Sequence, residues 1–528
     1  MISWPERRSD CVKLVIQCLI ALCAMLPAAR LDAQPFTDVS GPSGFTPSFL
    51  ANIPAGGIAV ADYDHDGWSD ILVTGYLNPT RLYFNRGDGT FEELAEVNAM
   101  FAGTACSVAA AADYDNDGWT DVYIGCRGQS NLLMRNLGGR RFVNAMVPEL
   151  DHAPAGFNPP HTDALAWGDL DGNGLLDIYI GVYPDSASPD VSNPDNLDRV
   201  VLQTAPGQWT NITAEFSVEE RQKLRRPVLA AVISDLDRDG RPDLYVVNDK
   251  LKGNTLWRNA GPGCRVLCLV DMAAASGADV PAFGMGIAVG DVDRDGDWDL
   301  FYSSVDEQMF LRGQGTAPLS FQREAGSALN HFAVGWGTVF ADFDNDGWED
   351  AFLAIASGGF SNTPNQDQLF RNTGGDFLRI TPDSGALAQI RPTESAARLD
   401  YDQDGDLDLV LGHWNEGYRL CRNDQTSGNH WMAFELRGAV DRNRDALGAL
   451  LTLTTADGAR QIRELRSGES RGASHEPQLH FGLGAFTSAT VELRWPDGSV
   501  AALGSLDADR KHTIFHPSAV LFAHGFEN

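Results

Sequence analysis

Seven stretches of this chain repeat one acidic pattern, Asp-x-Asp-x-Asp-Gly-x-x-Asp. The candidate metal ligands are Asp62, Asp64, Asp66 and Asp70; Asp113, Asp115, Asp117 and Asp121; Asp169, Asp171, Asn173 and Asp177; and Asp235, Asp237, Asp239 and Asp243. They continue with Asp291, Asp293, Asp295 and Asp299; Asp342, Asp344, Asp346 and Asp350; and Asp400, Asp402, Asp404 and Asp408. Four side-chain oxygens alternating along a loop, with the main-chain carbonyl at the seventh place, make the cage that Ca2+ takes at about 2.3–2.6 Å. Glycine at the sixth place permits the sharp turn that gathers alternate residues. Mg2+ fits less well, because it demands a tight octahedron and retains its waters. The expected cofactor is Ca2+ at up to seven sites. The Asp169 copy is the weakest, because Asn173 brings oxygen without charge.

An EF-hand loop carries a bidentate Glu at its twelfth place and runs into a helix. Here the twelfth place holds Val73, Ile124, Ile180, Val246, Tyr302, Leu353 and Leu411, all apolar. These loops are therefore expected to join two strands. Turn chemistry alone would explain one Asp-Gly loop, but not seven with the same acidic places.

The 528 residues include 72 Asp and Glu against 40 Lys and Arg, a formal charge of −32. The loops hold 27 of these aspartates, and seven Ca2+ would bring the charge to −18. So acidic a surface repels nucleic acid and anionic lipid, and neither is an expected partner. The loops begin 51, 56, 66, 56, 51 and 58 residues apart. Each has an apolar run before it (Gly57-Ile58-Ala59-Val60-Ala61) and a β-rich run after it (Ile71-Leu72-Val73). A third run (Arg81-Leu82-Tyr83-Phe84-Asn85) and, past a Gly-rich turn, a fourth (Thr90-Phe91) complete the unit. Four short strands per unit of this length predict a blade, and seven units predict an all-β, seven-bladed β-propeller with calcium loops. The last blade lacks a fourth run, and Phe36-Thr37-Asp38-Val39 near the N-terminus is the strand expected to complete it and close the ring.

Arg7, Arg8 and Lys13 precede an apolar run over 14–26, then Pro27-Ala28-Ala29 and Leu31-Asp32-Ala33. This is the pattern of a secretory signal over 1–33, cleaved after Ala29 or Ala33. Thirteen residues interrupted by Gln17 fall short of the roughly 20 that span a bilayer. The mature protein is expected to be secreted, extracellular or periplasmic, without membrane insertion. Cys11, Cys18 and Cys23 leave with the signal; Cys106 with Cys126 and Cys264 with Cys268 are pairs suggested by proximity, leaving Cys421 odd.

The stretches FGMGIAVGDVDRDGDWDLF and DLYVVNDKLKGNTLWRN resemble the FG-GAP/VCBS repeats of integrin α-subunit propellers, over about residues 35–428. From about Asn429, the stretches NHWMAFELRG, NRDALGALLTL, GASHEPQLHFGLG and VELRWPDGSV resemble an ASPIC/UnbV domain. The combination is similar to the architecture of the cartilage acidic protein 1 family, and implies an extracellular calcium-binding protein with no established reaction. The expected organisation is a propeller over 34–428, a small β-rich C-terminal domain over 429–516 and a tail over 517–528. Strands are expected over 431–436, 449–454 and 490–495, with turns at Asp457-Gly458 and Asp497-Gly498. His480 and Arg494 read as structural polar groups.

No nucleophile elbow, zinc-protease, P-loop or dinucleotide fingerprint stands in a fitting context, and no catalytic residue is assigned. Arg86-Gly87-Asp88 reads as a turn between the third and fourth strands of blade 1, and Asn211-Ile212-Thr213 as a sequon. The face opposite the acidic loops should carry the insertions 147–162, with His152 and His161, and 183–198. Asp249, Lys250, Asp306, Glu307, Glu394, His413, Trp414 and Glu416 should lie there too. Two readings follow. The preferred one is a binding or adhesion module for a glycan or an extracellular protein. The alternative is an extracellular lyase, hydrolase or cyclase working on a glycan or small molecule at that funnel, with His161, His413 and Glu416 as its acid–base groups.

Overall fold

Each repeat folds into a four-stranded antiparallel sheet whose first two strands are joined by the acidic loop. The computed structural model describes residues 36–47, 55–76, 78–101, 105–151, 161–184, 197–263, 266–357, 366–380 and 385–519. The proposed signal, His152, Cys264 and most of 183–198 lie outside these. Blade 1 comprises Ala55–Ala61, Asp70–Gly75, Arg81–Asn85 and Phe91–Glu93; blade 2 comprises Cys106–Ala112, Asp121–Cys126, Leu132–Asn136 and Phe142–Asn144. Blades 3 to 6 repeat the order, with inner strands His161–Gly168, Val228–Ser234, Gly284–Gly290 and Gly335–Ala341. Blade 7 comprises Thr393–Leu399, Asp408–His413, Gly417–Asn423 and, as its outer strand, Phe36–Asp38.

Inner strands of successive blades pack side by side, and that of blade 7 packs against that of blade 1. The ring is closed by the N-terminal strand, with Phe36 opposite Asn423 and Asp38 opposite Cys421. Closure turns the inner edge of every blade toward the shared axis, where another chain cannot easily add a strand. Inner strands are rich in Gly and Ala because they crowd around the axis. Second strands are buried almost throughout, and Asp121–Cys126 at every residue, since each is covered by a neighbour on both faces. Leu72 and Phe84 of blade 1 thus share one apolar cluster with Ala109, Val122 and Met134 of blade 2. Cys106 and Cys126 face each other across blade 2 and form a disulfide. Cys421 is a buried free thiol.

The C-terminal region has two sheets. One orders Leu479–Gly484, His430–Arg437 and Arg510–Phe515; the other orders Arg460–Glu464, Leu450–Thr454, Ser488–Arg494 and Val500–Asp507. The expected strands and turns are present, and Arg460–Glu464, Leu479–Gly484, Val500–Asp507 and Arg510–Phe515 are additional. Met432, Phe434, Leu451, Phe481 and Leu493 form its core, in one cluster with Val108 of blade 2 and Trp167 of blade 3. Gln34–Asn528 accordingly form one compact unit.

Candidate functional site

The seven acidic loops share one conformation. The fourth residue is left-handed in every copy: His65, Asn116, Arg238, Arg294, Asn345 and Gln403 have φ of 55–61°, and Gly172 has 73°. The sixth, always Gly, has φ between 87° and 95°. The carboxylate at the first place holds this turn. Asp62 accepts the amides of Asp66 and Gly67 at 3.2 and 3.0 Å, and Asp113 those of Asp117 and Gly118 at 3.0 and 2.8 Å. Ligand-type oxygens of Asp62, Asp64 and Asp66, of Asp113, Asp115 and Asp121, and of Asp169, Asp171 and Asp177 lie within 4.8 Å of one another. The same holds for Asp235, Asp237 and Asp239, and for Asp291, Asp293 and Asp295.

Burial, with the neighbouring carboxylates, pushes Asp62 and Asp169 up to about 6, Asp291 to about 7 and Asp121 to about 10. Buried oxygens of Asp64, Asp121, Asp235 and Asp402 have no hydrogen-bond partner. Arginines of the third strands or neighbouring blades pair with several loop carboxylates, as Arg140 does with Asp64 and Arg135 with Asp117, both at 2.9 Å. Hard anionic oxygens that are crowded and in part desolvated and unpartnered are a donor set suited to a divalent cation such as Ca2+. The residues present fit that ion. Asn173 occupies the same turn, its amide oxygen accepting from Leu175 N–H at 2.7 Å and its amide nitrogen donating to Gln203 O at 2.8 Å.

The ninth-place aspartate has a further duty that spacing did not reveal. In blade 1, Asp70 accepts the amides of Tyr63 and Asn85 at 2.9 and 2.8 Å, tying the loop to the end of the third strand. That third-strand end carries a polar amide which reaches the preceding blade. Asn85 donates to Tyr401 O, Asn136 to Tyr63 O, Gln203 to Tyr114 O, Asn259 to Leu170 O, Asn372 to Val292 O and Asn423 to Phe343 O, at 2.7–3.0 Å. Blade 5 has Gly313 at this place, and its amide alone bonds Asp299. The signal was in the sequence, as the Asn that ends RLYFN, TLWRN and QLFRN.

The C-terminal module sits on these loops. Asp445 accepts the amide of Asp113 at 2.6 Å, Glu464 that of Asp235 at 3.1 Å, and Glu476 that of Asp400 at 3.0 Å. Three module carboxylates thus each hold the backbone at the first ligand of a loop. Arg494 pairs with Asp235 at 2.7 Å, and His480 donates from Nε2 to Gly405 O at 3.0 Å. Burial pushes His480 down to about 3, so its ring is neutral. Both residues are docking contacts, in keeping with a structural role.

Beyond Glu464 the module sends a loop into the central channel. Ser470 exchanges main-chain hydrogen bonds with Ile287. Gly468 bridges Val232, and Ala473–Ser474 pair in parallel with Ile58 and Ala59. Gly472 O receives the amides of Ile58 and Ala109 at 3.2 and 3.3 Å. The channel is plugged. Arg466, Glu464 and Glu469 form ion pairs within it, beside the buried Arg398.

Among the described residues, those read as a funnel do not assemble into one acid–base site. His413 is buried in blade 7, its Nδ1 2.9 Å from the Thr393 hydroxyl, which donates to Asp367 at 2.8 Å. Burial pushes His413 down to about 3, so it is a poor proton acceptor. Glu416 is exposed and pairs with Arg391 at 2.8 Å. Asp249 accepts from the Tyr183 hydroxyl at 2.8 Å, Lys250 lies over the Tyr183 ring, and Glu307 pairs with Arg323. Glu394 is the exception, sunk in the channel mouth near Arg471. His161 pairs opposite Tyr183 at the start of its strand. In the Arg86-Gly87-Asp88 turn, Arg86 pairs with Glu92, and Asp88 accepts the amide of Thr90.

The FG-GAP-like repeat family matches residues 62–124, 113–180, 235–302 and 342–411, and the ASPIC and UnbV family matches 439–521. Cartilage acidic protein 1 of Mus musculus is 26% identical over 486 residues, covering 84% of this chain and 71% of that protein. This chain is a homologue of cartilage acidic protein 1. The Homo sapiens protein aligns at the same identity over 84% of this chain and 69% of its own length. Among solved structures, the BP39L lectin of Burkholderia pseudomallei covers 70% of this chain and 96% of its own, at 10% identity and a TM-score of 0.46. That likeness carries no argument about ligands. The repeat family and the relative are in keeping with the propeller fold, and suggest a binding or interaction module. No described helix is long and apolar enough to cross a membrane.

Proposed function

We propose that the chain is an exported, Ca2+-binding interaction protein whose metal ions stiffen the loops on which its C-terminal module is seated. The observation that carries this reading is the common loop conformation: seven turns of one shape gather carboxylate oxygens that are crowded and in part buried and unpartnered. Ions that bind only the folded state add their binding free energy to its stability. Elemental analysis of the full chain, purified in millimolar calcium, should return close to seven Ca2+ per chain. The Asp169 site should empty first during chelation. Exhaustive EDTA treatment should lower the melting temperature by about 10 °C or more. A stoichiometry near zero, or an unchanged melting curve, would overturn the reading.

Export is supported by the charged, apolar and small-residue segments of residues 1–33, and N-terminal sequencing of the secreted product should begin after Ala29 or Ala33. A glycan or extracellular protein is the partner class we favour. The sunken, neutral His413 and the exposed, Arg391-paired Glu416 favour binding over acid–base catalysis.

A further inference from the structure

The plugging loop delivers one side chain whose donors its surroundings do not satisfy. Arg471 is only 2% exposed, yet its Nε and one terminal nitrogen have no hydrogen-bond partner among the described residues. Its other terminal nitrogen stands 4.0 Å from Asp163, which is already claimed by Arg127 at 2.8 and 3.1 Å. The guanidinium lies 5.3 Å from the ring centre of Trp336, which is half-buried. Glu394, also 2% exposed, has an unpartnered oxygen and senses Arg471 and Arg127 as attracting charges and Asp163 as a repelling one. Asp163, Trp336 and Glu394 occupy one place in their repeats, six residues before the first loop aspartate. Blades 4 and 5 put Leu229 and Met285 at that place. Inner strands run toward the acidic loops, so this level lies at the channel end away from them.

Buried guanidinium groups are held in balance by carboxylates that accept their hydrogen bonds. Here Asp163 is committed to Arg127, and Arg471 keeps two free donors. On the same level an indole and two aliphatic places stand across from polar ones, which is the two-sided character of a sugar ring.

We propose that the channel mouth is a carboxylate-binding site, completed by Arg471 of the C-terminal module, that takes a small sugar acid. The ligand carboxylate accepts from Arg471 and its ring lies toward Trp336. Glu394 opposes the bound anion by its charge. The site rests on the interaction-module reading but not on the metal loops at the other end of the channel. A failed anion titration therefore leaves the calcium stoichiometry standing.

The test is calorimetric titration at pH 8, where Glu394 is ionised, of the calcium-loaded full chain with sodium glucuronate, with glucose and sodium acetate as comparison probes. Glucuronate should bind once per chain, at least ten-fold more tightly than either comparison probe. Arg471→Gln should lose at least ten-fold in affinity, Arg471→Lys should recover part of it, and Glu394→Gln should bind several-fold more tightly. Circular dichroism and melting curves check folding. If Arg471→Gln does not fold, Glu394→Gln decides alone: a gain supports the site and no change overturns it. No glucuronate binding by the parent chain, equal affinity for glucose, or an unchanged affinity in folded Arg471→Gln also overturns it. Equal affinity for acetate overturns the assignment to a sugar acid.

Discussion

Asn136 carries the clearest single-residue load in the ring. Its amide nitrogen donates to Tyr63 O at 2.8 Å and its oxygen accepts from Gly139 N–H at 2.7 Å, so one side chain ties blade 2 to blade 1. Asn136→Ala leaves buried backbone groups unmatched and should cost about 1–3 kcal/mol, read as a shift in urea midpoint at unchanged slope. Glu394 offers a pH test. Burial first, and then Asp163, push its carboxyl up from 4.5 to about 7 against the pull of Arg471 and Arg127. Between those values the folded chain holds a proton that the unfolded chain has lost, so this group's contribution falls as pH rises from 4.5 to 7 and is flat above. The span is roughly 3 kcal/mol. Glu394→Gln should therefore raise stability at pH 8 and leave it nearly unchanged at pH 4, measured by denaturant melts at each pH.

At the scale of elements, the plug depends on its backbone shape. Gly468 has φ of +84°, and a Cβ there would stand 2.7 Å from Ala231 O and 2.8 Å from Leu165 O. Those carbonyls belong to the inner strands of blades 4 and 3, which cannot shift without loosening the ring. Gly468→Ala should cost about 2 kcal/mol or more, seen as a lower melting temperature. The blades were legible because their pattern is local: seven Asp-rich loops mark the first hairpins, and Phe36-Thr37-Asp38 could be matched to a missing fourth strand. The plug was not. GESRGASHEP has no period, and its partners lie on inner strands of four blades far away in sequence. The duty of Asp445, Glu464 and Glu476 was hidden for the same reason: each is one acid among 72 until docking aligns it with a loop amide. His413 ends a strand and is buried, whereas Glu416 lies in the turn that follows and is exposed, a difference that three residues of separation do not announce.

At the scale of the whole molecule, propeller and module share one core and one charged channel. Removing the module uncovers Trp167 and Val108 and strands Arg398 without Glu469 and Glu476. Residues 34–428 expressed alone should be aggregated or unfolded on size-exclusion chromatography, and the full chain should unfold in a single calcium-dependent transition. A soluble, monomeric propeller with native-like circular dichroism would contradict this.

The strand Phe36–Asp38 also sets a clock. Thr37 meets Asp424 across 387 residues of sequence, so this early strand has no partner until the last blade exists. The plug is made later still. A growing chain is therefore an open arc with two raw edges, and closing so long a loop makes ring closure a slow, late step. Chaperones that shield nascent edges, rather than early domain-by-domain folding, would decide how much of this protein reaches its finished form.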